Sequence, residues 1–313
     1  MDVRQLGKTR LAVSPICVGT SALGGMAPQY GYDVDAVTGV ETIRRALEGP
    51  FNFIDTANEY GNGGESERRI GRALAEAGGL PPGFVIGTKV DPVPGTSVFT
   101  GARVRQSVDE SLGRLGLNQL QLVYLHDPQR ITFEEATGEG GPMDALVQLR
   151  DEGVVEYIGV AGGPIDLELR YLSTGVFDVV ISHNRFTLID QTAEPLMNAA
   201  ALLGVAFVNA APFGGGILVK GPDVVPSYRY RLATERTLSR VRKMQRICDE
   251  YGIPLAAAAL QFSQRDPRVA STIVGMSNPS RIGQTAQLAA CRIPDELWQR
   301  LHPLISPGHA GAQ

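Results

Sequence analysis

Eight short apolar runs, each closed by turn residues and separated by longer segments with helical spacing, limit most strongly what this chain can become. The runs are ICVG (16–19), FNFID (51–55), FVIGTK (84–89), LVYLH (122–126), EYIGVA (156–161), DVVISH (178–183), VAFVNA (205–210) and STIVG (271–275). Most are rich in Val, Ile or Phe, as parallel strands buried on both faces are. Between them lie segments such as DAVTGVETIRRALE, ARVRQSVDESLGRLG and MDALVQLRDEG, the last two ending in Gly, a frequent helix terminator. Strand alternating with helix eight times predicts an α/β protein, a closed (β/α)8 TIM barrel, which takes ~250 residues. An open doubly wound sheet is the alternative. It is weakened because no GxGxxG turn follows the first run.

The chain has 313 residues, so some must lie outside the repeat. Residues 3–13, around LGKTRL, read as a small N-terminal β-hairpin. Residues 213–234 carry Gly and Pro without periodicity and read as a long loop after strand seven. Residues 294–304 read as a last helix with Pro294 near its start. No linker divides the chain, so one domain over residues 1–313 is expected. Hydrophobic residues make up 43% and charged ones 20%, which excludes a disordered chain. A net charge of −4 argues against a broad nucleic-acid surface. No apolar run approaches the ~18 residues of a membrane span, and the N-terminus has no signal-peptide core. Cys17, Cys248 and Cys291 are few, odd in number and far apart, as structural thiols in a reducing compartment would be. The expectation is a cytoplasmic protein, a monomer or weak homo-oligomer, with neither nucleic acid nor membrane as partner.

In such a barrel the functional groups sit at the C-terminal ends of the strands. Those ends carry Asp55, Lys89, His126, His183 with Asn184, and Asn209, and Tyr60 follows strand two. Taken singly, each has a plainer explanation: a turn carboxylate, a packing Tyr, a Lys paired with an acid, a His satisfying a backbone group. Converging on one mouth, they make a proton-handling set. A Tyr ordinarily titrates near ~10, and a nearby ammonium favours its phenolate. Lys89 would lower the Tyr60 pKa, Asp55 would orient Lys89, and His126 would hydrogen-bond the reacting oxygen. The set moves a proton and contains no carbon nucleophile, so its missing partner is a hydride carrier.

The sequence resembles the aldo-keto reductases over essentially its whole length. GTSALGG (19–25), FIDTANEYGNGGESERRIGRAL (53–74), GTK (87–89), YLHDP (124–128) and IGV (158–160) fall in the family's order. The resemblance implies an NAD(P)-dependent oxidoreductase whose Asp, Tyr, Lys and His tetrad is Asp55, Tyr60, Lys89 and His126. SHNRFTLID (182–190) resembles the branch of D-threo-aldose, L-fucose and L-galactose dehydrogenases, with pyridoxal dehydrogenases close by. That implies oxidation of an aldose at its anomeric carbon to a lactone. Tyr60, His126, His183, Asn184 and Arg185 would meet the sugar, with Tyr30 or Trp298 as its apolar platform. Arg185 either faces the substrate or turns outward into an ion pair.

The resemblance also implies the cofactor contacts. Gly19, Thr20, Ser21 and Asp55 would be among the residues that bind the cofactor. GMSNPSRIGQ (275–284) would hold the adenosine end through Gly275, Ser277, Asn278, Arg281 and Gln284, where Ser277 or Asn278 can also cap a helix. Phe213, Gly214, Gly216 and Leu218 would close over the pyrophosphate, glycine permitting close backbone approach. Many relatives hold the carboxamide with Ser-Asn after strand five, but this chain has Ala161, Gly162 and Gly163 there. Many stack an aromatic on the nicotinamide from strand seven, where this chain has Ala210 and Ala211. Asn184 or His183 would then take the carboxamide. Gly275 stands where NADPH-dependent relatives often carry a cation, and Arg281 matches a position able to meet a 2′-phosphate. NAD is therefore slightly favoured over NADP.

Other classes use similar residues. A metal-dependent barrel hydrolase would recruit His126, His183, Asp55 and Lys89, yet strand one ends without a His pair and strand eight without an Asp, so no metal is expected. An NADPH-dependent aldehyde or ketone reductase and a pyridoxal dehydrogenase are the enzymatic alternatives. A nicotinamide-binding regulatory subunit, like those of potassium channels, is the non-enzymatic one.

Overall fold

The computed structural model describes residues 2–229 and 231–305. Eight parallel strands close into a barrel: β1 (Ile16–Gly19), β2 (Phe53–Asp55), β3 (Val85–Val90), β4 (Leu120–His126), β5 (Val155–Gly162), β6 (Val179–His183), β7 (Ala206–Ala210) and β8 (Val269–Gly275). They pair in sequence order, and β8 joins β7 to β1. All eight apolar runs of the sequence are barrel strands. Helices α1 (Ala36–Leu47), α2 (Glu65–Glu76), α3 (Gly101–Leu115), α4 (Pro142–Asp151), α5 (Ile165–Ser173), α6 (Glu194–Leu203), α7 (Leu255–Arg265) and α8 (Ser280–Ala290) connect them. α3 shows how local chemistry sets an element's ends. The Thr100 hydroxyl accepts from the Arg103 amide at its start, and Gly116 closes it at φ 68°, in the left-handed region.

Alternation along each strand divides the core in two. Ile16, Val18, Ile54, Ile86, Val123, Ile158, Val160 and Val180 face the helices. Cys17, Phe53, Val85, Leu122, Tyr124, Ala161, Val179, Ile181, Val208 and Ile273 fill the barrel. Tyr124 is the large member at the centre. It is accommodated because Gly87 and Gly159 flank it: a Cβ at Gly159 would lie 2.4 Å from the Tyr124 ring, and one at Gly87 3.0 Å from it. The antiparallel pair Arg4–Gln5 and Ala12–Val13 is the expected N-terminal hairpin. Its Leu6, Leu11 and Val13 join the inner cluster, and Gly7 packs against Ala206, where β7 begins. The hairpin thus plugs the end of the barrel where strands start and leaves the other end as the mouth.

The segment after β7 is more ordered than a long loop. It contains a turn at Gly214–Gly216, a short helix Ile217–Lys220 and an antiparallel pair, Ser227–Tyr228 with Arg231–Leu232. None is long enough to show a period, so the sequence reads as structureless. The helix Glu235–Glu250 then precedes α7. The last helix, Asp295–Leu301, follows Pro294 as expected. Trp298 lies under the Arg265 guanidinium, 4.6 Å from its ring centroid. Arg265 ends α7 just before β8 begins, so Trp298 packs at the plugged end and cannot be the sugar platform. No helix among the described residues is long and apolar enough to cross a membrane.

The seam between α2 and α3 gives a test of packing. A Cβ at Gly71 would lie 1.9 Å from the Arg114 carbonyl oxygen and 3.1 Å from Leu115 Cα, both backbone. In an exposed helix Gly→Ala gains ~1 kcal/mol. Here overpacking against an immobile backbone costs ~1–3 kcal/mol and should win. Gly71→Ala should therefore lower the urea midpoint, and a raised midpoint would contradict this seam.

Candidate active site

The mouth is built from residues that share the inner face of neighbouring strands. Asp55 pairs in register with Gly87, so Lys89, two residues on, projects beside it. The Lys89 ammonium is 3% exposed and bonds three oxygens: Asp55 Oδ2 at 2.7 Å, the Thr56 carbonyl at 2.7 Å and the Tyr60 hydroxyl at 3.0 Å. All three of its protons are thereby committed. Because the phenol oxygen accepts from Lys89, its own proton is directed elsewhere. His126 stands edge-on to Tyr60, with ring centroids 5.8 Å apart. Asp55, Tyr60, Lys89 and His126 are thus brought together.

The electrostatics differ from the expectation for Tyr60. Burial pushes the Tyr60 phenol well above the usual tyrosine range, and the Asp55 carboxylate pushes the same way. Lys89 was expected to lower it. The ammonium is shared with Asp55, whose Oδ2 it bonds at 2.7 Å, and the direction at the phenol is set first by burial. Asp55 is itself raised, because burial outweighs the Lys89 contact, and its Oδ1 has no hydrogen-bond partner. A buried, unsatisfied carboxylate oxygen is costly, by ~1–3 kcal/mol.

A second layer was not anticipated. Asp91 is 1% exposed and holds His126 Nδ1 at 2.6 Å. Its other oxygen accepts the Glu59 amide at 3.0 Å, and Arg130 joins Asp91 to the Glu59 carboxylate. His126 and Arg130 help hold the Asp91 carboxyl below its ordinary value against the effect of burial. An ionised Asp91 only accepts, so His126 Nδ1 carries the hydrogen and Nε2 remains for the mouth. The available signal was spacing: Asp91 lies two residues after Lys89, on the same strand face.

The other predicted residues divide by what holds them. Thr20 is fully buried, its hydroxyl donating to the Asp55 carbonyl at 2.9 Å and accepting from Ser66. It braces the backbone of Asp55. Gly19 lets β1 approach β8, for a Cβ would sit 2.8 Å from Ile273. The Ser21 hydroxyl bonds that of Tyr30, which also bears on the Tyr60 phenol and so belongs to the mouth. Leu218 is fully buried in the cluster with Ile217 and Val241. It anchors the strap after β7 instead of covering a ligand with its side chain. Phe213 packs partly buried against both flanking clusters. Gly214, Gly215 and Gly216 all have positive φ, at 58°, 73° and 106°, so this turn needs glycine. Tyr228, which the sequence did not single out, donates to the Asn184 carbonyl and lies where a Cβ on Gly214 would strike its ring.

The donors and acceptors fit a nicotinamide dinucleotide. Asn184 is buried with Oδ1 unpartnered, an acceptor of the kind a carboxamide NH2 requires. His183 donates from Nδ1 to the Gly162 carbonyl at 3.0 Å, and burial lowers its pKa. Its Nε2 is therefore a lone-pair acceptor. Asp127, Asn184 and Ala211 each follow a barrel strand in the left-handed region, at φ 44°, 58° and 57°. For Ala211 this carries ~1–2 kcal/mol of strain. At the end of β8, a Cβ on Gly275 would meet nothing within 4 Å. Asn278 Oδ1 accepts from the Ser280 hydroxyl at 2.7 Å, and no side chain caps α8, contrary to the capping expectation for Ser277 or Asn278. The Arg281 and Ile282 amides in the first turn of α8 donate to the Asn278 and Pro279 carbonyls, at 3.1 and 3.3 Å. The Ser280 hydroxyl also receives Gln284 Nε2 at 3.4 Å. Arg281 makes no side-chain hydrogen bond or ion pair among the described residues. Among those residues no group of His, Cys, Asp or Glu is placed to hold a metal ion.

Glu168, on α5 behind β5, also escaped the sequence. It is fully buried, accepts the Gly162 amide at 3.1 Å, and has Oε2 unpartnered. Burial pushes its carboxyl from near 4.5 up to about 8. The folded state therefore binds a proton more tightly than the unfolded chain. Its stabilising share is full below about 4.5 and is lost as pH rises through about 8. Glu168→Gln, which cannot ionise, should flatten the fall in stability between pH ~5 and ~8 and be more stable at pH ~8 by ~1–3 kcal/mol. Urea unfolding across that range measures it, and an unchanged slope would show that Glu168 is ionised when folded.

Known proteins resemble this chain over nearly its whole length. The model of the Aldo/keto reductase family matches residues 15–305. A pyridoxal 4-dehydrogenase from Microbacterium luteolum is 30% identical, with 96% of each chain covered. A D-threo-aldose 1-dehydrogenase from a Pseudomonas species is also 30% identical, covering 95% of this chain and 97% of that protein. The solved holo form of an aldo-keto reductase from Bacillus halodurans superposes with a TM-score of 0.79 at 23% identity, over 98% of this chain and 97% of its own, and shows the same fold. With its eight-stranded barrel, this chain belongs to the aldo/keto reductase family and is an NAD(P)-dependent oxidoreductase.

Proposed function

We propose that the chain, working as one barrel domain, oxidises an aldose at its anomeric carbon to a lactone. The observation that carries this reading is the Lys89 ammonium, which ties Asp55 and Tyr60 together beside His126. Similarity to the D-threo-aldose 1-dehydrogenase supports the substrate class. Bound oxidised nicotinamide supplies the acceptor for the hydride that leaves C1. Tyr60 takes the C1 hydroxyl proton as the carbonyl forms. Tyr60 starts this direction as the phenolate, which Lys89 stabilises from 3.0 Å, and ends it as the neutral phenol, while His126, held by Asp91, presents Nε2 to the C1 oxygen. In the reverse direction the neutral phenol is the acid. The similarity to pyridoxal 4-dehydrogenase favours pyridoxal as the second reading.

Tyr60→Phe keeps the ring and removes the proton carrier. It should lower kcat by ~10²–10⁴-fold with little change in cofactor Kd. Because burial raises the phenol's pKa, oxidation by the parent should rise toward alkaline pH and reduction should fall. Near-parental turnover in the variant under chemistry-limited conditions would remove Tyr60 from this role.

The cofactor reading rests on Gly275 and Arg281. The first leaves open space where a cation would stand, and the second retains a guanidinium for a 2′-phosphate. NAD should be used with a modest preference over NADP. Titrating both at matched ionic strength, with L-fucose, L-galactose, D-arabinose, pyridoxal and an aromatic aldehyde as substrates, tests cofactor and substrate together. Efficient turnover of pyridoxal alone would transfer the assignment to the second reading, and a strong NADP preference would reverse the cofactor assignment.

A further inference from the structure

The charges around the mouth are matched, with one exception. Lys89 is held by Asp55, His126 by Asp91, Arg130 by Glu59 and Arg229 by Asp190, the last at 3.6 Å. Arg185 is half-buried, yet among the described residues its side chain makes no hydrogen bond or ion pair, and Nε is buried without a partner. The outward ion pair considered from the sequence is therefore absent.

Ile181 lies inside the barrel, so His183, at the end of β6, continues along that face over the mouth. Asn184, at φ 58°, then turns the chain, and the contacts of Gly163 place Arg185. Gly163, just past β5, borders the same space. A Cβ there would come 3.4 Å from His183 Cε1 and 3.5 Å from an Arg185 terminal nitrogen. A longer side chain at 163 would fill the space in front of both.

Nearby acids do not neutralise this cation. Glu168 is the larger acidic influence on Arg185, ahead of Asp190, yet it makes no ion pair with it, and burial raises its carboxyl to about 8. Asp190 is already paired with Arg229. Arg229 adds positive potential, and burial together with Arg229 lowers the Arg185 pKa. A half-buried guanidinium with unused donors is stabilised by a planar or tetrahedral oxyanion, which it can bind bidentately.

We propose that Arg185 forms a subsite for an anionic oxygen group on the substrate, such as a carboxylate or phosphate ester, while His183 Nε2 accepts an adjacent hydroxyl. The subsite lies on the β5–β6 side of the mouth. β4, which carries His126, is two strand spacings from β6, ~10 Å at the backbone. This rests on the reading of the mouth as a site of carbohydrate oxidation and narrows the substrate to a sugar acid or phosphorylated sugar. A uronic acid retains the C1–H and C1–OH that the oxidation needs and adds the carboxylate.

The test uses matched pairs that differ in the anionic group: D-galacturonate with D-galactose, and pyridoxal 5′-phosphate with pyridoxal. In the parent enzyme the charged member should have the higher kcat/KM. In Arg185→Met the charged-to-neutral ratio should fall by ~10–10²-fold, mainly through KM, the scale of a charge-assisted hydrogen bond. Arg185→Lys should retain part of the ratio and provides a second folded variant. Calorimetric binding of each pair to the protein saturated with NAD reads the subsite without turnover. Tighter binding of the acid without oxidation would sink the oxidation reading while supporting the subsite. Oxidation of neutral sugars with no preference for the acid would do the reverse. If Arg185→Met weakens NAD binding while the charged-to-neutral ratio stays constant, the oxyanion is the cofactor's pyrophosphate and the proposal fails.

Discussion

A single buried ammonium organises this mouth. Removing a lysine charge from water costs several kcal/mol unless its protons are all bound. Lys89 meets that condition with three oxygens from β2 and the segment just after it. Each contact fixes something beyond itself. Asp55 must stay at the end of β2, where Thr20 and Ser66 brace its backbone. The Thr56 carbonyl ties the turn to β3. The Tyr60 hydroxyl is brought back over the barrel even though the chain has already left the strand. The register of β2 against β3 is thus also the geometry of the proton-handling pair.

Charge matching explains what surrounds that centre. Asp55 with Lys89, and Asp91 with His126 and Arg130, are buried combinations in which losing one member would strand the other. That interdependence makes the site rigid. Burial is the largest influence on the Tyr60 proton and raises the phenol's pKa. Against this background an unmatched Arg185 stands out, and Glu168 behind it, with Oε2 unpartnered and its pKa raised by burial, belongs to the same imbalance.

The fold was largely legible because its signal is local and repeated. Eight apolar runs, the hairpin around LGKTRL and the helix after Pro294 each stand where the residue pattern places them. The tetrad was legible because barrel topology assigns strand ends to one mouth. The misreadings have physical causes. The strap after β7 consists of elements too short to show a period. Trp298 could not be assigned to an end of the barrel until its Arg265 partner was known. The side chains of Leu218 and Thr20 are taken up by burial and hydrogen bonding, which the sequence does not show. Glu168 sits on a helix and reaches the β5 turn only across the barrel wall.

By itself the sequence determined the alternation of strand and helix, the residues that face inward along each strand and the chemical types that gather at the open end. These depend on periodicities of two and 3.6 residues and on chain order. Tertiary structure alone decided which charges are matched, where each proton rests and which hydroxyls are already in use. Those outcomes depend on distances of a few ångströms between residues tens of positions apart, such as Lys89 with Asp55 and His126 with Asp91. They depend equally on burial, which raises the pKa of Tyr60 and Glu168 and lowers that of His183. Neither separation in space nor exclusion of water is encoded at a single position, so both emerge only when the barrel closes.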